Sequence, residues 1–167
     1  MYLGIDQSLT HSGVVILDGK GNFQYGFAIK PKTRGVTRLK EIVATLRENL
    51  NPEFTYFTCM EGYSYGNMFG KAFELGELGG IIKCWAGSGL IVAPTTLKKF
   101  ITGKGKLEKG IDKKDIIPRI VKEKWGFETK DDNIADAYGL ARIAYLYEHQ
   151  DECTKTELEC IKAVRIF

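Results

Sequence analysis

The sequence predicts an α/β fold built on a mixed five-stranded sheet, three antiparallel strands followed by two parallel ones, with helices on both faces. Three observations predict it. Three short β-rich runs open the chain, separated by polar or glycine turns. Two later β-rich runs are each preceded by a stretch with helical spacing. The resulting order, β-β-β-α-β-α-β-α-α, makes a meander first and crossovers second, and a strand reached through a helical crossover lies parallel to its neighbour.

The first strand is "YLGID" (2–6), an apolar run ending on an acid, and "GVVILD" (13–18) is the second, with "QSLTHS" as the turn between them. The loop "DGKGN" leads to the third, "FQYGFAI" (23–29). In "VTRLKEIVATLRENL" (36–50), Val36, Leu39, Ile42, Val43 and Leu46 recur at helical spacing, and Asn51-Pro52 ends the helix. "FTYFTCME" (54–61) is a buried-looking fourth strand that again ends on an acid. A helix over about 69–86 places Phe69, Phe73, Gly76, Gly80 and Cys84 on one face, where glycines permit close approach of another backbone. "GLIVAP" (89–94) is the fifth strand. A short helix follows in "TTLKKFI", with Thr95 or Thr96 as its cap. The basic loop "TGKGKLEKGIDKK" (102–114) leads into "KDIIPRIVKEKW" (114–125), a helix whose Pro118 is awkward beyond a first turn. A helix over about 132–147 follows, and the tail after Glu148 has room for one more.

With 167 residues, 44% hydrophobic and 27% charged, the chain fits one soluble domain spanning 1–167. No run of about 18 uncharged apolar residues is present to span a membrane. The start, "MYLGID", has no basic and apolar leader, so a cytoplasmic location is expected, with Cys59, Cys84, Cys153 and Cys160 as reduced thiols. These cysteines show no CxxC spacing, which disfavours structural zinc. The net charge of +3 permits a nucleic-acid partner without requiring one.

The acids are the informative residues. Asp6 and Glu61 each end a strand, and strand one is expected to lie beside strand four, so both emerge at one sheet edge, where α/β folds place their ligands. In "DDNIADAYGLA" (131–141), Asp132 and Asp136 are four apart and share a helix face. If that helix lies on the central strands, four carboxylates converge. Such a cluster is costly without a cation, and Mg²⁺ or Mn²⁺ removes the penalty because hard cations prefer oxygen. Two ions about 3.5–4 Å apart can activate a water and stabilise the leaving oxygen of a phosphodiester. With only His11 and His149 in the chain, a histidine base is not favoured. Plainer roles stay open: Asp131 and Asp132 also suit a helix N-terminus, and Asp6 also suits a turn.

These motifs resemble one family. "YLGIDQSLTHSGVVILD" is similar to the first hairpin of RuvC-type Holliday junction resolvases of the RNase H-like superfamily. "CMEGYSYG" resembles that family's second acidic motif, "APTTLKKFITGKGKLEKGIDKKDI" its lysine and Gly-x-Gly segment, and "DDNIADAYGLA" its last acidic helix. The similarity covers about residues 2 to 147. The short chain and divergent motifs suggest a phage or mobile-element member. The resemblance implies an RNase H-like nuclease that cuts four-way and branched DNA as a homodimer, with Mg²⁺ or Mn²⁺, leaving 5′-phosphates. It implies Asp6, Glu61 and Asp136 as metal ligands. The fourth is either Asp132 or Asn133, which differ by about 100° around the helix; Asp132 is the nearer carboxylate to the family's position.

Residues 98 to 114 hold seven lysines against Glu108 and Asp112, the kind of segment that contacts phosphates without reading sequence. Lys98 and Lys113 match the family's two functional lysines, Lys113 as a candidate catalytic group, with Lys104, Lys106 and Lys114 as further DNA contacts. Tyr63 and Tyr65 follow Glu61 and suit stacking on unpaired bases, as the family's aromatic does. The glycine-faced helix at 69–86 is the candidate dimer surface, since a two-fold dimer matches a four-way junction. Three other readings compete: an RNase H-like nuclease on RNA–DNA hybrids or flaps, a catalytically inactive junction-binding module, and an actin-like ATPase whose phosphate loop would be "GIDQSLTHSG". The last needs two such domains, more than 167 residues supply.

Overall fold

Strand β1 (Tyr2–Asp6) lies in the middle of the sheet, between β2 (Ser12–Leu17) and β4 (Phe57–Glu61). The computed structural model describes residues 1–63, 69–104 and 113–167, and the side chains of residues 69–71, 113 and 114 fall outside that description. β1 pairs antiparallel with β2, from Tyr2 opposite Leu17 to Asp6 opposite Gly13, and β2 pairs antiparallel with β3 (Phe23–Ile29). On its other side β1 runs parallel to β4, with Ile5 opposite Met60, and β4 runs parallel to β5 (Gly89–Val92). The expected meander and both parallel crossovers are present.

The sheet has six strands rather than five, in the order β3-β2-β1-β4-β5-β6. The sixth, β6 (Arg165–Ile166), adds antiparallel to β5. At two residues it is too short to show alternation in a sequence. It follows a 3₁₀ turn (Gln150–Glu152) and helix α6 (Lys155–Ile161) in the tail.

Helices cover both faces. One face carries α1 (Gly35–Asn49) and α2 (Phe69–Ala86), whose Leu39, Ile42, Leu46, Leu78 and Ile82 pack on Leu3, Ile5, Val14, Ile16 and Met60. The other carries α3 (Pro94–Thr102), α4 (Lys113–Trp125), α5 (Asp132–Glu148) and α6 against Tyr2, Val15, Leu17, Cys59 and Leu90. Strands clad on both faces lose polar alternation, which is why β1 and β2 are buried throughout. Each fully buried Leu or Ile contributes about 1.5–3 kcal/mol.

Helix α5 is the element that shapes the site. It crosses β1 and β2 at backbone distance because those strands carry glycine where it passes. A methyl at Gly4 would land on the Ala137 carbonyl oxygen, and one at Gly13 on that of Asn133. Alternate residues of a strand share a face, so Tyr2, Gly4 and Asp6 of β1, and Cys59 and Glu61 of β4, all look toward α5.

Two local expectations change. Helix α3 begins at Pro94 with Ala93 as its N-cap and no side-chain cap bond, so neither Thr95 nor Thr96 caps it. Proline at a helix's first position needs no N–H partner, which makes a threonine cap unnecessary. Pro118 lies inside α4, which runs through it. Among the described residues, no helix is long and apolar enough to cross a membrane.

Candidate active site

Asp6 and Glu61 end adjacent parallel strands and therefore leave the sheet at the same edge. Asp6 is 8% exposed. Above them, the first turns of α5 present Asp132 and Asp136 one helical turn apart. The four carboxylates are close enough to feel one another's charge. Burial, followed by the charges of Glu61, Asp136 and Asp132, holds Asp6 well above the usual carboxylate range. Burial and Asp136 push Glu61 up to about 7, and burial and Asp132 push Asp136 up to about 6. Lys98 of α3 opposes both of these shifts, which puts its ammonium on the site. Among the described residues, no three His, Cys, Asp or Glu side chains are placed closely enough to hold a metal ion between them. Bare carboxylates repel one another, and among the described residues Lys98 is the cation that offsets that repulsion.

Asp131 and Asn133 have separate work. Asp131 is the N-cap of α5, accepting from the Asn133 backbone N–H at 3.1 Å. Its other oxygen lies 2.8 Å from His11 Nε2. Although burial opposes it, these contacts keep the Asp131 carboxyl below its ordinary value. The Asn133 side-chain amide reaches His11 Nδ1 at 3.2 Å and Asp131 Oδ1 at 3.2 Å. Asn133 is thus engaged on the capping side of the helix, while the charge of Asp132 falls on Asp6 and Asp136.

The site is braced by a residue that sequence reasoning missed. Gln7 Nε2 donates to the Glu61 backbone carbonyl at 2.8 Å and ties the ends of β1 and β4 together. Its only signal was its position directly after Asp6. Tyr63 is folded back on α2: its hydroxyl donates to the Gly76 carbonyl at 3.2 Å, and the Lys83 ammonium stands 5.4 Å from its ring centre.

Of the lysines, Lys98 is on the site, and Lys104 is exposed past the end of α3, its backbone N–H donating to Thr102 Oγ1 at 3.1 Å. Lys113 and Lys114 open α4, with their side chains outside the description. Tyr65 and Lys106 lie outside the described residues. On α2, Phe73 is 78% exposed, and a Cβ at Gly76 or Gly80 meets nothing within 4 Å among the described residues. Among the described residues, those glycines therefore show no close packing within the subunit. A groove of about 560 Å³ runs between α1 and α2, lined by Val36, Val43, Gly80, Ile81 and Cys84.

Two solved structures share this fold. A structure of Thermus thermophilus RuvC is 23% identical, covers 89% of this chain and 96% of its own, and gives a TM-score of 0.63. T. thermophilus RuvC in complex with a Holliday junction substrate is 17% identical, covers 89% of this chain and 94% of its own, and gives a TM-score of 0.64. No protein-family model matches the sequence. No curated protein matches it significantly.

Proposed function

We propose that this chain, which shares the RNase H-like fold of RuvC, is a metal-dependent endonuclease that resolves Holliday junctions and related branched DNA. The observation that carries the reading is the convergence of Asp6, Glu61, Asp132 and Asp136 on one sheet edge, two of them strand ends and two on a helix face. The donor set is all carboxylate oxygen, which suits Mg²⁺ or Mn²⁺ and not zinc or copper. Asp6, Glu61, Asp132 and Asp136 would hold the ions, which would supply an activated water and charge neutralisation at the phosphate. Asp132 is preferred to Asn133 as the fourth ligand because it is a carboxylate whose charge acts on both Asp6 and Asp136, while the Asn133 Nδ2 donates to Asp131 and Asp132.

The chain's own residues perform the remaining tasks. Gln7 and the β1–β4 pairing fix the Asp6–Glu61 separation before substrate arrives, which limits the reorganisation left for the reaction. Lys98 faces the phosphate position and offsets charge that develops there. The lysine-rich segment to Lys114, with Lys113 as a second cation near the cut, would track the backbone. Tyr63 and Tyr65 would stack on unpaired bases once Tyr63 leaves its bond to Gly76.

The reading includes a homodimer. The open α1–α2 groove, with Phe73, Ile81 and Gly80 exposed or unfilled, is the surface we assign to a second copy. A two-fold dimer would place two such centres on opposite strands of a four-way junction. The deciding experiment is cleavage of a synthetic immobile four-way junction with Mg²⁺ or Mn²⁺, beside linear duplex and an RNA–DNA hybrid.

A further inference from the structure

A cleft of about 440 Å³ opens on the far side of Glu61 from Asp6, between α2 and the β5–β6 edge. Its walls carry Met60 and Ile91 from the sheet, Tyr63, Lys83 of α2 and Arg165 of β6. Two features of it are unexplained by the carboxylate centre. Neither Lys83 nor Arg165 makes an ion pair among the described residues, so two cations flank the cleft without a bonded anion, although the Glu61 carboxyl also lines it. Gln7 also lines the cleft and is 8% exposed, yet its Oε1 has no hydrogen-bond partner among the described residues. The amide cannot simply turn over to cure this, because Nε2 is held by the Glu61 carbonyl. An orphaned buried acceptor costs about 1–3 kcal/mol, and its persistence points to a donor that arrives with a ligand.

We propose that this cleft binds one unpaired nucleotide of a DNA strand, its phosphate between Lys83 and Arg165 and an N–H on its base edge at Gln7 Oε1. The inference rests on reading the adjacent carboxylates as a DNA-cutting centre. The apolar Met60, Ile91 and Tyr63 walls suit a base, paired cations suit a phosphate, and each of the four bases carries an N–H donor that an abasic site lacks. The cleft is open at its mouth, as a polymer requires. Gln7 then has two tasks: its N–H braces Glu61 and its oxygen senses whether a base is present.

The test is binding without divalent ions, so that no cleavage is needed. Fluorescence anisotropy would follow an oligothymidylate of about 12 nucleotides and an abasic strand of equal length across a range of salt. Lys83→Ala and Arg165→Ala should each weaken binding and reduce the salt slope by about 0.7. Lys20→Ala, at the opposite end of the sheet, should leave the slope unchanged. Gln7→Met should lose the preference for thymidylate over the abasic strand while keeping the slope. Unchanged slopes for both Lys83→Ala and Arg165→Ala would overturn the proposal and leave the nuclease reading intact. So would competition by free thymidine monophosphate as strong as by the oligonucleotide, which would make the cleft a free-nucleotide site. Lowered slopes in a protein that cuts no junction would keep the cleft and sink the nuclease reading. A wild type that binds no strand would overturn the cleft proposal, and the nuclease reading would still stand or fall on junction cleavage.

Discussion

Gly4 lies directly under the carbonyl oxygen of Ala137, so the central strand and helix α5 meet backbone to backbone. That contact sets the height of Asp136 over Asp6. Gly4→Ala must lift the helix or bend the strand, and overpacking of this kind costs about 1–3 kcal/mol or more. The expected result is a lower urea midpoint together with a loss of activity larger than the unfolded fraction explains. An unchanged midpoint would mean that α5 is not seated as described.

The carboxylates make metal-free stability depend on pH. Folded Glu61 titrates near 7 and Asp136 near 6, against ordinary values of 4.5 and 3.8. The folded chain keeps these protons after the unfolded chain has released them, so stability falls as pH rises from about 4 to about 7. Below pH 5 the depressed carboxyls of Asp131 and Glu157 act in the opposite sense, so the comparison belongs above that value. With a chelator present, the melting temperature should be lower at pH 8 than at pH 5.5. Asp136→Asn should flatten that dependence and add about 1–2 kcal/mol at pH 8. Mn²⁺ should raise the melting temperature of the wild type and not that of Asp136→Asn. A wild type equally stable across this range would remove the basis for a strained acid cluster.

Lys98 lowers the pKa of both Glu61 and Asp136. Replacing it by methionine keeps the stem and removes the charge, so both carboxyls should hold their protons to higher pH. The acidic limb of the pH–rate profile should move upward, with a loss in rate of about 10²–10³-fold if Lys98 also faces the phosphate. A lower rate with an unmoved limb would place Lys98 on the DNA and away from the carboxylates.

At Gly80 a Cβ meets nothing within 4 Å among the described residues, so Gly80→Ala should stabilise the monomer by about 0.5–1 kcal/mol through helix propensity. If a second copy packs on this face, the same change should weaken the dimer, and Ile81→Glu should abolish it. Analytical ultracentrifugation with and without junction DNA reads both. A dimer indifferent to both substitutions lies on another surface.

Much of this was legible in the sequence, and the exceptions have physical reasons. Asp6 and Glu61 were readable as a pair because each terminates an apolar run, and a buried strand that ends on an acid must deliver it to an edge. Asp132 and Asp136 were readable from their spacing of one helical turn. The seating of α5 was hidden, because Gly4 and Gly13 look like ordinary strand or turn glycines until the helix that needs them is in place. β6 was hidden because two residues carry no periodicity. Gln7 was hidden because its task is a single hydrogen bond to a main-chain carbonyl 54 residues away, which leaves no local pattern. Thr95 and Thr96 misled because a cap preference is weak beside a proline already at the first helical position.

The most direct measurement is cleavage of an immobile four-way junction by wild type and Asp6→Asn, with Mg²⁺ or Mn²⁺ and with a chelator, beside duplex and RNA–DNA hybrid. Wild type should make paired symmetric nicks with 5′-phosphates, dependent on the divalent ion and lost in Asp6→Asn. Cleavage of the hybrid alone would contradict the junction reading and make the protein a ribonuclease H. Tight junction binding with no cleavage under any metal would contradict the catalytic reading of Asp6, Glu61, Asp132 and Asp136.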